Sequence, residues 1–346
     1  MNLTPQEQKN KTLLQEKKPL VYNKILKIPE KIKNKESIAL LQLQYNYICN
    51  FKCKHCAIQN FKRNDKSLTI KDVKSIADQA DLMGLITICI SGGEPLLFKD
   101  LEEVIKAIDP CRFNISMDTN GWFLTEEKIK WLVKLGIDRI HLSMDGLEHN
   151  HSVFRGANSS WQKCLNSLPY CKKHGLGTII NIVATKDLVR SGELVKQLEF
   201  IKNLDQYASI IYVKPTGAFE DHKDQILDTT DIEYIQTLTS QYNCSTHLSK
   251  NCGNDFGCLC VKRHFSITAY GDVLPCPWIP ISLGNIHEEE LQTIINRGLN
   301  IKWFSFDNKY SCLCGNSDEF FYKNILPQTE KASTYPISWR DIKWLV

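Results

Sequence analysis

The sequence predicts an α/β fold, an open, partial barrel of six β/α units followed by a small cysteine-rich extension. Three observations support this prediction. Six β-prone segments alternate with five amphipathic helical segments between residues 37 and 214. The alternation stops after about Glu220. Fourteen cysteines are present, and nine of them lie either between residues 49 and 56 or between residues 252 and 314.

The strand segments are short and apolar, and many of their residues are β-branched. They are Ile38–Tyr45, Leu85–Ser91, Phe113–Met117, Arg139–Met144, Thr178–Ala184 and Ile210–Lys214. The helical windows lie near Ile70–Leu82, Leu101–Ile108, Glu126–Leu135, Trp161–His174 and Ser191–Ile201. Strands that alternate with helices run parallel and are joined by right-handed crossovers. Six units are too few to close the eight-stranded barrel, so we expect an open barrel with its site at the C-terminal strand ends.

The segments on either side of the barrel differ from it in character. Residues 1–36 are basic with little periodicity, which indicates a solvated N-terminal arm, and residues 37–220 are assigned to the barrel. Residues 221–346 form the extension. Its predicted elements are a helix over Asp231–Tyr242, a hairpin of Phe265–Thr268 and Val273–Leu274, and a helix near Glu288–Asn296.

Charge and hydropathy exclude several classes of protein. Forty-three basic and thirty-nine acidic side chains give a net charge of +4, which is too weak to indicate nucleic-acid binding. No apolar run approaches the roughly 20 residues of a membrane-spanning helix. The first 18 residues are polar and contain no secretory signal. We therefore expect a cytoplasmic protein with neither a nucleic-acid nor a membrane partner.

The cysteines indicate a metal centre. In a long chain without a signal peptide, this number of cysteines favours metal binding over a disulfide framework. Cys49, Cys53 and Cys56 follow the first strand, and three thiolates at this spacing can hold three irons of a [4Fe–4S] cluster. The fourth iron would be open to a small molecule, and His55 is interpreted as a neighbour of the cluster. The five isolated cysteines are expected to be buried thiols: Cys89, Cys111, Cys164, Cys171 and Cys244.

The cysteine motif and the strand ends after it resemble the radical S-adenosylmethionine (radical SAM) enzymes. Cys49-Asn50-Phe51-Lys52-Cys53-Lys54-His55-Cys56 matches the CxxxCxxC signature of that family, and Gly92-Gly93-Glu94-Pro95 matches its GGEP motif. Thr119-Asn120-Gly121 and Ser143-Met144-Asp145-Gly146 follow the third and fourth strands. His151-Ser152-Val153-Phe154-Arg155-Gly156 is similar to the HDxFRG stretch of the family, with Ser152 in place of the aspartate. The resemblance covers about Ser37 to Lys214.

The resemblance implies a reaction and a set of binding residues. The three cysteines would hold a [4Fe–4S] cluster whose open iron binds SAM, and an electron from a donor such as flavodoxin or ferredoxin would cleave SAM to methionine and a 5′-deoxyadenosyl radical. Gly92 and Gly93 would let the backbone approach the methionine group closely. Glu94 or nearby carbonyls would accept hydrogen bonds from its ammonium group. Arg155 would bind its carboxylate, with Ser143 as a second donor.

The C-terminal cysteines resemble the SPASM/twitch extension found in one branch of this family. The matching positions are Cys258, Gly271, Cys276, the run Leu283-Gly284-Asn285-Ile286 and the closing pair Cys312 and Cys314. The resemblance implies one auxiliary [4Fe–4S] cluster, since the long central cysteine series of a two-cluster extension is missing and the closing pair is CxC instead of CxxC. Cys260 fits the spacing nearly as well as Cys258. Structural zinc stays open as the alternative metal.

Such extensions are associated in the family with large substrates, notably ribosomally synthesised peptides. The resemblance therefore implies an enzyme that cross-links or epimerises a peptide or excises part of it. The barrel, the extension or a separate protein would recognise that peptide. Two alternatives stay open: a small-molecule substrate such as a sugar, nucleoside or cofactor precursor, and a non-catalytic iron–sulfur or zinc scaffold. Six C-terminal cysteines exceed the four ligands of one cluster, so Cys260 is also a candidate hydrogen-atom donor to the substrate.

Overall fold

The structure is a computed structural model of the chain. It describes residues 12–344 with the exception of residues 62, 64, 249–255, 331, 333 and 334. Across these described ranges, no helix combines the length and the apolar character that a membrane crossing requires.

A nine-stranded sheet organises the molecule, in the order β7-β6-β5-β4-β3-β2-β1-β8-β9. Its strands are β1 (Leu40–Asn46), β2 (Thr87–Gly92), β3 (Asn114–Thr119), β4 (Arg139–Ser143), β5 (Gly177–Ala184), β6 (Ala208–Tyr212), β7 (Cys244–Thr246), β8 (His264–Ile267) and β9 (Val273–Leu274). Strands β1 to β7 pair in parallel, and consecutive strands are neighbours. The open parallel barrel is thus confirmed, and its six predicted strands are present within two residues of the predicted bounds.

Helices precede, connect and follow these strands. They are α1 (Pro19–Leu26), α2 (Ile28–Lys33), α3 (Ile70–Leu82), α4 (Leu101–Ile108), α5 (Glu126–Leu135), α6 (Glu148–Arg155), α7 (Ser160–His174), α8 (Lys186–Arg190), α9 (Glu193–Asn203), α10 (Thr229–Leu238), α11 (Leu291–Asn300) and α12 (Phe320–Asn324). The predicted bounds of α3, α4 and α5 are confirmed without change. Apolar residues on one helical face, with a capping box between Thr69 and Asp72 at α3, explain this agreement.

Alternation along the strands gives the barrel two different faces. Leu41 and Leu43 of β1 are buried in the core between the sheet and its helices. Gln42 and Gln44, the residues between and after them, line the cavity on the inner side of the sheet. Successive side chains of a strand point to opposite faces, so an apolar outer face leaves the inner face free for polar groups.

The N-terminal arm is folded against the barrel, so the prediction of a solvated arm is wrong for its described part. Lys18 Nζ donates to the Phe113 carbonyl at 2.9 Å, and Lys24 Nζ donates to the Leu85 and Arg112 carbonyls at 3.0 and 2.8 Å. Lys31 forms the equivalent bond to the Met83 carbonyl. These lysines therefore cap backbone groups at the N-terminal ends of β2 and β3, and a charge-rich sequence gives no sign of this.

The C-terminal extension continues the barrel sheet. The predicted hairpin is confirmed as β8 and β9, and β8 pairs in parallel with β1, with Leu41 opposite Phe265. Strands β10 (Ile281–Ser282) and β11 (Ile337–Ser338) form a separate two-stranded sheet. The pairing of β8 with β1 fixes the cysteines around the hairpin beside the open side of the barrel.

Candidate active site

The first site begins in the loop that follows β1. Cys49, Cys53 and Cys56 lie in this loop, where Cys49 is exposed and the other two are half-buried. The Phe51 N–H donates to Cys49 Sγ at 3.4 Å, and the Cys56 N–H donates to the Cys53 carbonyl at 3.3 Å. Trp122 packs edge-on against Phe51, with ring centroids 5.6 Å apart. The loop is therefore folded so that its three thiols are presented to one space.

That space is a cavity of about 220 Å³ at the C-terminal ends of the strands. Eight residues that the sequence singled out for the cluster or for SAM line this one cavity: Cys49, Cys53, Cys56, Gly92, Gly93, Glu94, Ser143 and Arg155. They come from the ends of β1, β2 and β4 and from helix α6, so the fold brings together residues that are more than a hundred positions apart. Their individual roles remain predictions.

The glycines make close contact with the cysteine loop itself. The Gly93 N–H donates to the Asn46 carbonyl at 2.7 Å, and the Glu94 N–H donates to the Ile48 carbonyl at 2.8 Å. A Cβ atom on Gly92 would lie 2.2 Å from the Asn46 oxygen, and one on Gly93 would lie 1.9 Å from the Ile48 oxygen. Gly92 and Gly93 are therefore required because the loop after β2 packs directly against the backbone that leads to Cys49. This requirement is separate from any contact with a ligand.

Glu94 ties two strand ends together. Its side chain is 1% exposed, and it accepts hydrogen bonds from Thr119 Oγ1 and the Asn120 N–H, both at 2.8 Å, and from the Leu96 N–H at 3.2 Å. Burial raises the pKa of Glu94 to about 7, although these bonds favour the ionised form. The carboxyl group therefore titrates near neutral pH while it holds the loop after β2 against the end of β3.

Arg155 is held beside the cysteines by a buried ion pair. Its Nε donates to Asp145 Oδ2 at 2.5 Å, and Nη1 lies 3.8 Å from Cys53 Sγ. Asp145 in turn accepts a bond from the Val183 N–H at 2.6 Å, which connects the ends of β4 and β5. The guanidinium group is thus positioned next to the cysteine loop, with Nη1 on the side of Cys53, and this position suits the binding of a carboxylate beside the three cysteines.

His55 lies against an aromatic ring, as expected for a neighbour of the cluster. Its imidazole stacks on Phe154 at 4.5 Å between centroids with an interplanar angle of 10°. Burial lowers the pKa of His55 to about 3, so the ring is neutral. This contact also ties the cysteine loop to α6.

The extension contributes to the lining of the cavity. Pro277 and Trp278, which directly follow Cys276, line it together with Lys214 from the end of β6. Lys214 Nζ lies 4.5 Å from the centroid of the Trp278 ring, and it donates to the Tyr212 carbonyl. A molecule in the cavity would therefore lie next to the first cysteine set and beside the segment that directly follows Cys276.

The second site is a chain of five buried thiols. The Sγ atoms of Cys258 and Cys260 are 3.5 Å apart. Side-chain contacts continue from Cys260 to Cys276, from there to Cys314, and from Cys314 to Cys312. The structure thus brings together all the predicted auxiliary ligands and also Cys260, whereas Cys252 lies outside the described residues. Five thiols fit the four protein positions of a [4Fe–4S] cluster, with one in excess.

Two polar residues surround the thiol at the end of this chain. His247 Nε2 lies 3.3 Å from Cys312 Sγ, and the amine of Lys214 is also close by. A hydrogen bond from Cys314, together with the charge of Lys214 and the contact with His247, lowers the pKa of the Cys312 thiol. This environment favours a thiolate, the form that binds iron.

Three polar residues at the two sites are not predicted from the sequence. Asp145 belongs to the Ser143–Gly146 motif, which alone gives it no role, and no sequence pattern marks Lys214 or His247. Their common signal is a polar residue at or just after the end of a parallel strand. Among the isolated cysteines, Cys111 is exposed, so the expectation of a buried thiol is wrong at that position; it lies in the turn before β3. The other four are buried as expected.

Comparison with known families accounts for both cysteine sets. Residues 43–198 match the family model described as the radical SAM superfamily. Residues 258–316 match the model described as SPASM, an iron–sulfur cluster-binding domain. The first match contains Cys49, Cys53 and Cys56, and the second contains the five clustered thiols, so each set of converging thiols coincides with one iron–sulfur model.

Individual relatives have different activities. An AdoMet-dependent heme synthase of Nitratidesulfovibrio vulgaris is 22% identical over 299 residues, which are 77% of this chain and 81% of the relative. A GTP 3′,8-cyclase of Campylobacter jejuni is 26% identical over 304 residues, which are 79% of this chain and 94% of the relative. The crystal structure of Streptococcus suis SuiB bound to its precursor peptide SuiA is similar with a TM-score of 0.60 at 20% identity, covering 77% of this chain and 67% of that chain. The last likeness is one of fold.

Proposed function

Since the chain belongs to the radical SAM superfamily and carries a SPASM iron–sulfur domain, we propose that it uses S-adenosylmethionine to modify a peptide. The radical SAM activity, the SAM-binding [4Fe–4S] cluster and an auxiliary cluster follow from the family. The peptide substrate and the role of each residue are the proposal. The observation that carries it is the position and lining of the cavity, which is bordered by the first cysteine set and by the residues after Cys276 and contains several amide groups.

The first set of residues is assigned to the cofactors. We assign Cys49, Cys53 and Cys56 to the cluster, and Arg155 with Ser143 to the carboxylate of SAM. When bound, the cluster and SAM supply a 5′-deoxyadenosyl radical that abstracts a hydrogen atom from the substrate. Glu94 accepts hydrogen bonds from the amino group of SAM and keeps the loop after β2 in place. The reductant is a small electron carrier such as flavodoxin or ferredoxin.

The lining of the cavity favours a peptide over strongly anionic substrates. Gln42, Gln44 and Asn181 face it, and a primary amide can both donate to and accept from a peptide group. Among the described residues that line the cavity, the only permanent cations are Arg155 and Lys214. Arg155 is already paired with Asp145. A triphosphate or a molecule with several carboxylates would thus find too few positive partners.

A small-molecule substrate is the second candidate. The heme synthase and GTP cyclase relatives favour it, because they match most of this chain. Lys214 beside Trp278 would then hold a single anionic group of the substrate in the cavity. A purely structural scaffold is disfavoured, since it has no use for a cavity beside the SAM-binding residues.

Cys260 is assigned to the second cysteine set. It is buried between Cys258 and Cys276 and is not among the residues that line the cavity. A thiol that donates a hydrogen atom must reach the substrate carbon, so its surroundings favour a role as a cluster ligand. Cys258 is the alternative ligand, and its Sγ atom lies 3.5 Å from that of Cys260.

The experiment measures SAM cleavage with competing substrate classes. The reconstituted protein is incubated without oxygen with SAM and dithionite, and with pooled synthetic peptides, GTP or a metalloporphyrin. We expect peptides to increase 5′-deoxyadenosine formation above the basal rate and to change in mass. Gln42→Ala should reduce this stimulation and leave basal SAM cleavage unchanged. Stimulation by GTP or the porphyrin alone would contradict the peptide proposal and support the second candidate.

A further inference from the structure

A third group of possible metal ligands, which contains no residue of either cysteine set, lies on the inner face of the barrel. It consists of Cys89 of β2, Asp118 of β3 and His141 of β4, on three adjacent strands. His141 Nδ1 lies 2.8 Å from Asp118 Oδ1 and 3.8 Å from Cys89 Sγ, and all three donor atoms lie within 4.8 Å of one another. None of the three has a role in SAM binding or in the clusters.

The arrangement has features that a hydrogen-bonded group alone does not need. The Cys89 side chain is 2% exposed, and its thiol lies 3.9 Å from the Ile90 carbonyl and 3.8 Å from the His141 nitrogen, contacts that contribute little because sulfur is a weak hydrogen-bonding atom. On a tetrahedral zinc ion, a cysteine sulfur and a histidine nitrogen are about 3.5 Å apart, as follows from bond lengths of about 2.3 and 2.0 Å. The nitrogen and the carboxylate oxygen need to separate by only about 0.5 Å from their hydrogen-bonded distance to bind the same ion.

The surroundings supply an outer layer and an open side. Gln42 Nε2 donates to Asp118 Oδ2 at 2.9 Å, which fixes the carboxylate through the oxygen that does not face His141. Metal-binding side chains are commonly oriented by such outer hydrogen bonds. Asp118 and Gln42 also line the cavity. Of the three possible ligands, Asp118 is the one in the cavity lining, so an ion held by the group would lie next to the space where a substrate would bind.

We propose that Cys89, Asp118 and His141 bind a divalent transition-metal ion of the Zn²⁺ type. One thiolate, one imidazole and one carboxylate form a mixed donor set that suits zinc, and three protein ligands leave a position for water or for an oxygen atom of the substrate. The ion would bind and orient that oxygen at the base of the cavity. The proposal is independent of which substrate the enzyme modifies.

The test measures zinc in protein whose iron–sulfur sites are already filled. The full chain is reconstituted with iron and sulfide without oxygen, equilibrated with Zn²⁺ by dialysis, and analysed for both metals. We expect roughly one zinc per chain, with an X-ray absorption spectrum of one sulfur at about 2.3 Å and nitrogen or oxygen neighbours at about 2.0 Å. Cys89→Ser and His141→Gln should each remove most of the zinc without changing the iron content. The control is Cys171→Ser, a buried cysteine of α7, which should retain it.

Three results would overturn the proposal. The first is protein with full iron and no stoichiometric zinc, which would leave the three residues as a hydrogen-bonded group. The second is zinc surrounded by sulfur alone, which would place it at the cluster cysteines. The third is zinc that persists in His141→Gln. Iron content and unfolding temperature of each variant show whether it is folded, and Asp118→Asn provides a further variant that keeps the hydrogen-bonding shape.

Discussion

Gly93 packs so closely against the cysteine loop that it leaves no room for a side chain. A Cβ atom there would lie 1.9 Å from the Ile48 carbonyl oxygen, which is backbone and cannot move aside without shifting the segment that leads into Cys49. We expect Gly93→Ala to lose about half of the iron bound after reconstitution, about four atoms per chain, because one [4Fe–4S] cluster is no longer held. The measurement is iron content by chemical assay.

Gly175→Ala is the matched control. Gly175 has a φ angle of +71°, and nothing lies within 4 Å of an added Cβ atom. The substitution therefore costs about 1 kcal/mol of conformational strain without a collision. It should bind the same iron as the unaltered protein, whereas a full iron content in Gly93→Ala would show that the loop after β2 can move.

Glu94 makes SAM binding depend on pH if it accepts hydrogen bonds from the SAM amino group. Burial raises the pKa of Glu94 to about 7, so the carboxyl group must lose a proton on binding at lower pH. We expect SAM affinity to be about tenfold weaker at pH 6 than at pH 8, because the ionised fraction falls by that factor. Equilibrium dialysis with the oxidised, cluster-loaded protein measures this affinity.

Glu94→Gln separates this effect from the titration of SAM. Glutamine keeps a hydrogen-bond acceptor for Thr119 and cannot ionise, so the change in affinity between the two pH values should be about tenfold smaller than in the unaltered protein. An identical pH dependence in both proteins would show that Glu94 does not contact the amino group and only supports the end of β3.

At the scale of elements, the periodicity of apolar residues predicts a helix or strand correctly wherever that element packs one apolar face against the core. Helices α3, α4 and α5 and strands β1 to β6 each bury a regular apolar face, so the sequence predicts them well. Helix α6 was missed because it is short and polar; its residues serve the site, with Arg155 paired to Asp145, more than the core. The pairing of β8 with β1 joins residues more than two hundred positions apart, and no local pattern contains that information.

The basic arm is the element for which composition was misleading. Lys24 Nζ reaches two carbonyls and Asp81 and lies 4.0 Å from the centroid of the Phe113 ring. We expect Lys24→Met to cost about 1–3 kcal/mol, since buried carbonyls lose a charged donor. Thermal unfolding should show a decrease of a few degrees, about the size expected for a chain of this length.

Lys27→Met tests whether this loss of stability is specific to the half-buried Lys24. Lys27 is exposed in the turn between α1 and α2, so its replacement should leave the unfolding temperature almost unchanged. Equal losses in the two variants would mean that general charge, and not the capping of the barrel strands, accounts for the effect.

At the scale of the whole molecule, one cavity extends from the first cysteine set to the segment that follows Cys276 of the second set. The cysteine loop after β1 lies at one end and the residues after Cys276 at the other, and the sheet continues from the barrel into the extension through β8. The sequence predicted both cysteine sets from their spacing. It could not decide between Cys258 and Cys260, because two thiols separated by one residue point to similar positions when the chain turns, and the structure places both in the group of five thiols.

The iron content of the intact chain and its variants tests this arrangement. We expect about eight irons per chain, and about four after replacement of Cys49, Cys53 and Cys56 together, because each cysteine set holds one [4Fe–4S] cluster. Replacement of Cys276 and Cys314 should remove the other four. Since four thiolates complete a cluster and five are present, only one of the two single variants Cys258→Ala and Cys260→Ala should lose iron, and the other cysteine is the one in excess. Zinc in place of iron at the second set, or loss of all eight irons in the first triple variant, would show that the two ends are not independent iron–sulfur sites.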